Sequence, residues 1–263
     1  MNNKIVFFDI DGTLLNEEKV IPETTKRAVQ TLQEEGIHTA IATGRSPQMF
    51  DWILQELNID SYVALNGQYA VFEGEEIYSN PMNLDLLTEV AFMVESNGHA
   101  ISYCDDQYIK VSEKDNPFVL SSYHSLKVEY PPVDRDFYKH SSVYQCHLFC
   151  ESPAEVEQYI NRFPEFSFIR WHEYAVDILP NDCSKAVGIG KILDLAGLES
   201  ENCYAFGDGL NDLEMLSFVG TGVAMGNAVP HVKAVADVIT SSSNEDGILS
   251  GLIEIGLLEK ETV

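Results

Sequence analysis

Short apolar runs that end in a polar residue recur at both ends of this chain. The first is Ile5-Val6-Phe7-Phe8, which leads directly into Asp9. A strand that is covered on both faces has this pattern, as the strands of a parallel sheet do. Segments with apolar residues at helical spacing alternate with these runs. The alternation predicts an α/β fold built on a doubly wound, Rossmann-like parallel sheet.

The middle of the chain has a different pattern. Residues 81–180 combine paired short strands with a few helices, as an α+β layer does. We therefore expect a catalytic core domain formed by residues 1–80 and 181–263, with an α+β domain inserted at 81–180.

Polar residues follow several predicted strands of the core. In open parallel sheets, ligands bind beyond the carboxyl ends of the strands. The polar segments expected at that edge are Asp9-Ile10-Asp11, Thr43-Gly44-Arg45, Asn66-Gly67 and Gly207-Asp208-Gly209.

The spacing of Asp9 and Asp11 can direct both carboxylates into one cleft, with Gly12 permitting a sharp turn after them. A hard cation such as Mg²⁺ suits such oxygen ligands, and Asp208 would add a third carboxylate. Each residue also has an ordinary structural explanation. A strand-end aspartate is often a turn or cap residue, and a lone lysine such as Lys185 is usually solvated.

Taken together, the motifs resemble the haloacid dehalogenase superfamily of phosphatases, specifically its Cof-type branch with a large inserted α/β cap. The matching segments are Asp9-Ile10-Asp11-Gly12-Thr13-Leu14, Thr43-Gly44-Arg45, Lys185 within Asp182-Cys183-Ser184-Lys185, Gly207-Asp208-Gly209-Leu210-Asn211-Asp212, and Ala224-Met225-Gly226-Asn227-Ala228. The similarity extends over the whole chain, and the first and fourth segments are the most specific.

The resemblance implies a mechanism. Asp9 would attack phosphorus and become an aspartyl-phosphate, and Asp11 would act as general acid and then general base. Mg²⁺ would be held by Asp9, Asp208 and the backbone carbonyl of Asp11. Asp212 would support Lys185 and the metal site.

The same resemblance assigns the phosphate and the substrate contacts. The phosphoryl oxygens would be held by Thr43, Gly44, Lys185 and Asn211. Candidate substrate-reading residues are Arg45, Asn66, Gly67, His172 and Glu173. The last two could equally form a plain hairpin turn. The expected substrates are small phosphate monoesters, either sugar phosphates or cofactor phosphates such as flavin mononucleotide or pyridoxal phosphate.

The net charge of −26 argues against nucleic acid and anionic membranes as partners. It also means that a phosphate site needs its own local positive charge. No apolar run is long enough to span a membrane, and no signal peptide is recognisable, so we expect a cytoplasmic protein. The oligomeric state is not predicted.

The five cysteines do not suggest a disulfide framework. Cys146, His147 and Cys150 could suggest zinc, but their alternation with Leu148 favours a buried strand.

Two alternatives to hydrolysis remain open. A phosphomutase acting on sugar phosphates would use the same Asp9 and Asp11, and its product would distinguish it. A non-enzymatic regulatory module would be expected to have lost one of the motif residues.

Overall fold

The computed structural model describes residues 3–259. These residues form two compact units, the first made of the segments up to Arg45, Phe50–Ser79 and from Ser184 onward, the second of Ser46–Met49 and Asn80–Cys183.

The first unit is an α/β structure. Its strands and helices are β1 (Ile5–Phe8), α1 (Glu23–Glu34), β2 (His38–Ala42), α2 (Asp51–Leu57), β3 (Tyr62–Ala64), β4 (Tyr69–Phe72), β5 (Glu75–Ser79), α6 (Lys185–Ala196), β11 (Cys203–Gly207), α7 (Leu213–Phe218), β12 (Thr221–Ala224), α8 (Pro230–Val235), β13 (Val238–Ile239) and α9 (Gly247–Glu254). Within the described residues they build an eight-stranded sheet of order β13-β12-β11-β1-β2-β3-β4-β5. Pairing is parallel from β13 to β3 and antiparallel for β4 and β5. This confirms the predicted fold class.

The first strand and the first helix show why the sequence folds in this way. All four residues of β1 are buried, as the uninterrupted apolar run predicts. In α1, the buried residues Ala28, Val29 and Leu32 recur at helical spacing and face the sheet. The helix ends before Gly36, whose φ of 75° closes the turn without a Cβ clash.

The second unit is an α+β structure. Its elements are α3 (Leu84–Ser96), β6 (Ala100–Cys104), β7 (Ile109–Val111), α4 (Pro117–Ser125), β8 (Gln145–Phe149), α5 (Pro153–Arg162), β9 (Phe166–His172) and β10 (Ala175–Pro180). Its five strands pair antiparallel in the order β7-β6-β8-β10-β9. Side chains from α3 and α5 pack with one face of this sheet in a separate apolar core.

Two local features differ from the sequence-based expectation. Ser46-Pro47 and the apolar residues at helical spacing after it predict a single helix capped by Ser46, but a 3-10 turn spans Pro47–Met49 and α2 begins only at Asp51. The Phe50 ring is fully buried against Tyr62, with ring centroids 5.4 Å apart, which holds that residue outside helical geometry. The segment Ser46–Met49, placed in the core by the predicted boundaries, groups with the second unit.

Helix α4 was missed. Leu120 is 56% exposed while Ser122 is fully buried, so apolar residues do not mark the buried face of this helix. The available signal was Asn116-Pro117, an N-cap followed by proline, and the Asn116 side chain does accept from the N–H groups of Phe118 and Val119.

Within residues 3–259, no helix is both long enough and apolar enough to cross a membrane.

Candidate active site

The carboxyl ends of four neighbouring parallel strands position the polar residues identified from the sequence. Asp9 follows β1, Thr43 follows β2, Asn66 lies just after β3, and Asp208 follows β11. These strands are adjacent in the order β11-β1-β2-β3. Parallel strands end at the same edge of a sheet, so residues far apart in sequence meet there.

A fully buried lysine joins two of these segments. The Lys185 ammonium lies 2.5 Å from Asp9 Oδ1 and 2.6 Å from Asp212 Oδ1. Lys185 and Asp212 are both 0% exposed, and Asp9 is 6% exposed. Burial alone would lower the pKa of Lys185, but Asp212 and Asp9 outweigh it and raise that pKa above its ordinary value. The lysine is therefore a permanent cation inside the site.

Asp212 fixes the loop that carries Asp208. Its second carboxylate oxygen accepts hydrogen bonds from the backbone N–H groups of Asp208 and Gly209, both at 2.9 Å. Gly207 makes room for this arrangement, since a Cβ there would meet the Asp212 carboxyl carbon at 2.5 Å. Asp212 thus orients both the lysine and the loop after β11.

Three carboxylates are crowded together. Asp9, Asp208 and Asp212 each place an oxygen within 4.8 Å of the others. Burial, opposed by Lys185 and reinforced by the other two carboxylates, raises the pKa of Asp9 well above 3.8. Burial, then Asp212, raises the pKa of Asp208 to about 6. Three negative charges face one ammonium, which leaves two charges that a divalent cation would balance, and carboxylate oxygens suit Mg²⁺.

Asn227 is a site residue to which the sequence analysis gave no role. Its amide donates to Asp208 Oδ2 at 3.0 Å and to the Gly12 carbonyl at 2.9 Å, and its own oxygen accepts from Ser243 N at 2.9 Å. It therefore connects the loop after β1 to the loop after β11. The signal for it was its place in the matching segment Ala224-Met225-Gly226-Asn227-Ala228, three residues after the end of β12.

Asp11 lies outside the cluster of three carboxylates. The Arg45 guanidinium donates from Nε to Oδ2 at 2.7 Å and from an Nη to Oδ1 at 2.8 Å, and Lys19 Nζ donates to Oδ1 at 2.7 Å. Burial opposes ionisation, but Arg45 and then Lys19 outweigh it and lower the pKa of Asp11 to about 2. Arg45 was predicted to read the substrate; in the structure its guanidinium is hydrogen-bonded to the Asp11 carboxylate.

The candidate phosphate-binding residues lie on neighbouring loops. Thr43 is 2% exposed, and its hydroxyl accepts from Arg45 N at 3.1 Å. Asn211 donates from its amide to Asn66 Oδ1 at 3.0 Å. A Cβ on Gly44 would meet that same Asn66 oxygen at 2.9 Å, so the glycine allows the loops to approach closely.

Gly67 makes the closest backbone approach in this region. It has a φ of 96°, and a Cβ there would lie 1.8 Å from the Ser184 carbonyl oxygen. Ser184 immediately precedes α6, which begins with Lys185. Gly67 was predicted to read the substrate; the structure places it against the start of the lysine helix.

We expect Gly67→Ala to lower kcat/KM for phosphate release by about 100-fold, because a displacement of about 1 Å at a positioned group can have that effect. The matched control is Gly74→Ala, which has a similar φ of 79° but nothing within 4 Å of the new Cβ. Steady-state kinetics of both variants would test this. Equal losses would show that backbone strain, and not displacement of α6, is responsible.

His172 and Glu173 lie in the second unit, at the β9–β10 hairpin. The His172 ring is 3.1 Å from Ser122 Oγ and accepts from Tyr174 N at 3.2 Å. The Arg170 guanidinium donates to the Glu173 carbonyl at 2.5 Å. These contacts hold the hairpin together.

The zinc alternative finds no support in the second unit. Cys146 packs in the core between sheet and helices, whereas His147 faces the opposite side and lies 2.8 Å from the Tyr123 hydroxyl. All five cysteines are free thiols.

Comparison with known proteins gave a consistent result. The model of a family described as haloacid dehalogenase-like hydrolase matches residues 6–252. A Bacillus subtilis (strain 168) protein named "Putative phosphatase YkrA" is 44% identical, over 98% of this chain and 100% of its own length.

Two solved structures are also similar. A hypothetical protein from Geobacillus kaustophilus HTA426 superposes with a TM-score of 0.93 and 47% identity, covering 97% of this chain and 99% of the other. BT4131, a sugar phosphatase of HAD subclass IIB, has a TM-score of 0.86 and 32% identity, covering 97% of this chain and 100% of the other.

Proposed function

Because the chain belongs to the haloacid dehalogenase-like hydrolases and is a phosphoric monoester hydrolase of that family, we propose that it acts through Asp9 as nucleophile. The observation that carries this proposal is the buried contact between Asp9 and Lys185 at the end of β1. Lys185 holds one carboxylate oxygen and offsets the charge that would otherwise repel a phosphate dianion. Attack on phosphorus then gives an aspartyl-phosphate, which water hydrolyses.

Asp11 is the proposed general acid and base. It lies two residues beyond the nucleophile, and in the resting protein Arg45 and Lys19 hold it as a carboxylate. An incoming phosphate dianion favours its protonated form, since a nearby like charge disfavours ionisation. The protonated carboxyl can then deliver its proton to the leaving oxygen, and the regenerated carboxylate can activate water.

We propose that Thr43, Gly44, Lys185 and Asn211 hold the phosphoryl oxygens. Their donors come from the loops after β2 and β11 and from the first residue of α6, so they can surround a tetrahedral group. They supply local positive charge and hydrogen-bond donors in a chain whose net charge is −26. Phosphoryl transfer depends mainly on such positioning and charge stabilisation.

The acidic cluster fits a divalent cation, and we propose Mg²⁺. The residues that would hold it are Asp9, Asp208 and the backbone carbonyl of Asp11, with Asp212 and Asn227 orienting the loops. When bound, Mg²⁺ would neutralise negative charge on the phosphate and on its ligands. Burial first, and then the neighbouring carboxylates, raise the pKa values of Asp9 and Asp208, and a cation would offset the second of these causes.

Removal of divalent metal by EDTA should lower phosphate release by about 100-fold or more, and added Mg²⁺ should restore it. A second readout is thermal stability. Mg²⁺ should raise the Tm of the metal-free protein because it binds the folded state, and Asp208→Asn should reduce that shift. Activity and Tm that are both insensitive to chelation would contradict the metal assignment.

The second unit is our proposed cap, which selects the leaving group. The expected substrates are sugar phosphates or cofactor phosphates such as flavin mononucleotide and pyridoxal phosphate, and the similar protein BT4131 is a sugar phosphatase.

A cytoplasmic location is consistent with five free thiols. A phosphate-release screen over both classes, ranked by kcat/KM, would identify the substrate. Free phosphate as product would exclude a phosphomutase, which would instead return an isomerised sugar phosphate.

A further inference from the structure

A short loop after the first motif directs one lysine at Asp11. Within it, Lys19 N donates to Asn16 O at 2.9 Å and Asn16 N donates to Val20 O at 3.1 Å. The Asn16 side chain closes the loop by accepting from Val20 N at 3.1 Å. Lys19 has a φ of 58°, in the left-handed region that disfavours a residue with a Cβ. The loop thus holds Lys19 in a disfavoured backbone conformation.

The Lys19 side chain has one anionic partner. Its ammonium lies 2.7 Å from Asp11 Oδ1, and among the described residues it forms no other ion pair. The side chains of Lys19 and Asp11 are 27% and 35% exposed, so water could solvate either group separately. A surface contact of this kind contributes little to stability. The contact between Lys19 and Asp11 is therefore better explained by its effect on the Asp11 carboxyl group than by a contribution to folding stability.

Lys19 complements Arg45. Arg45 is 7% exposed and belongs to the loop after β2, where its carbonyl accepts from Leu65 N at 3.1 Å. Its guanidinium contacts both Asp11 oxygens, while Lys19 reaches Oδ1 from the opposite end of the loop that Asp11 begins. Donors from two separate loops fix the position and rotation of this carboxyl group better than one does.

We propose that Lys19 is a positioning residue that holds the Asp11 carboxyl group in the orientation needed for proton transfer to the leaving group. The inference rests on the proposed function, because it presupposes that Asp11 is the general acid. In the first chemical step, a bond forms between an Asp9 oxygen and phosphorus. The ester P–O bond breaks, and its electron pair goes to the leaving oxygen, which takes the proton of Asp11.

Two substrates with different leaving groups can distinguish a positioning role of Lys19 from a general structural role. A hexose 6-phosphate releases an alkoxide, which needs the proton from Asp11. p-Nitrophenyl phosphate releases a stabilised phenolate, which needs no proton. Loss of positioning should therefore lower kcat/KM for the hexose 6-phosphate selectively, because that parameter includes steps up to the first irreversible one.

The test compares Lys19→Gln with wild type on both substrates. We expect kcat/KM to fall about 10-fold more for the hexose 6-phosphate than for p-nitrophenyl phosphate, a fraction of the roughly 10²–10⁴-fold that general acid catalysis contributes. Lys19→Arg, which retains a donor and a charge, should recover most of the loss. Lys26→Gln is the matched control, because it removes a lysine–glutamate ion pair that joins α1 to α2 and does not involve Asp11.

A double variant completes the experiment. In an Asp11→Asn background, Lys19→Gln should cause no further loss on the hexose 6-phosphate, since no carboxyl group remains to be positioned. Equal losses on both substrates, or additive losses in the double variant, would overturn the role of Lys19 and leave the phosphatase assignment intact. Failure of the wild-type protein to release phosphate from these two esters, from flavin mononucleotide and from pyridoxal phosphate would instead overturn the proposed function.

Discussion

Replacing Asp9 with asparagine is expected to lower phosphate release by about 10⁴-fold or more, the scale seen when an enzyme loses its nucleophile. Asparagine has nearly the same shape but cannot form the acyl-phosphate bond at a useful rate. The measurement is single-turnover and steady-state phosphate release from an ester that the wild-type protein hydrolyses. Asp194→Asn, an exposed aspartate on α6, is the control and should retain full activity.

The Asp9→Asn variant should remain folded, so a loss of activity can be assigned to the missing nucleophile. Burial and the neighbouring carboxylates raise the pKa of Asp9 above its ordinary value, so the charged form of this side chain carries a cost in the folded protein. A neutral asparagine removes that repulsion, and we expect metal-free Asp9→Asn to be at least as stable as metal-free wild type. Denaturant unfolding would measure this. An active Asp9→Asn variant would rule out Asp9 as the nucleophile.

The second large effect is expected from Lys185→Met. This change removes the ammonium between Asp9 and Asp212 and leaves two buried carboxylates without their cation. Breaking a buried ion pair by removing one partner destabilises a protein by about 3–5 kcal/mol. We expect a loss of that size in the free energy of unfolding at pH 7, together with loss of phosphatase activity.

The pH dependence gives this prediction a direction. Carboxylates that lack a cation become easier to protonate, so the penalty of Lys185→Met should shrink as the pH falls from 7 towards 4. The control is Lys191→Met on the same helix. Lys191 lies 5.3 Å from the centroid of the Tyr78 ring, and its loss should cost less than about 1 kcal/mol. Equal destabilisation by both variants would show that the buried charge of Lys185 is not important for folding.

Much of the core could be predicted from local sequence patterns. Four consecutive apolar residues predict strand β1, and Pro22, which can open a helix, and Gly36, which can end one, predict α1. These patterns are informative because side-chain periodicity and turn chemistry act over a few residues. Helix α4 escaped the same reasoning because its buried serine and exposed leucine reflect packing within the second unit.

The residues of the site also fall into those that the sequence identifies and those that only the structure reveals. Asp9, Asp11, Lys185 and Asp208 were identified as candidates because motif order and strand ends are visible in the chain. Their partners were not predictable. Asn227 donates to the Gly12 carbonyl, which lies 215 positions away in the sequence. Gly67 was assigned to the substrate, whereas the structure shows that it packs against the residue preceding Lys185.

By itself, the sequence determined the fold class and the family and named candidate residues for phosphoryl transfer, because motifs and strand patterns depend on residue type and short-range spacing. Only the tertiary structure decided the pairing of charges. It placed Lys185 on Asp9 across 176 positions and placed Arg45 and Lys19 together on Asp11. The physical reason is that electrostatic partners are set by distance and burial in space, and parallel strands bring distant loops to one edge of the sheet.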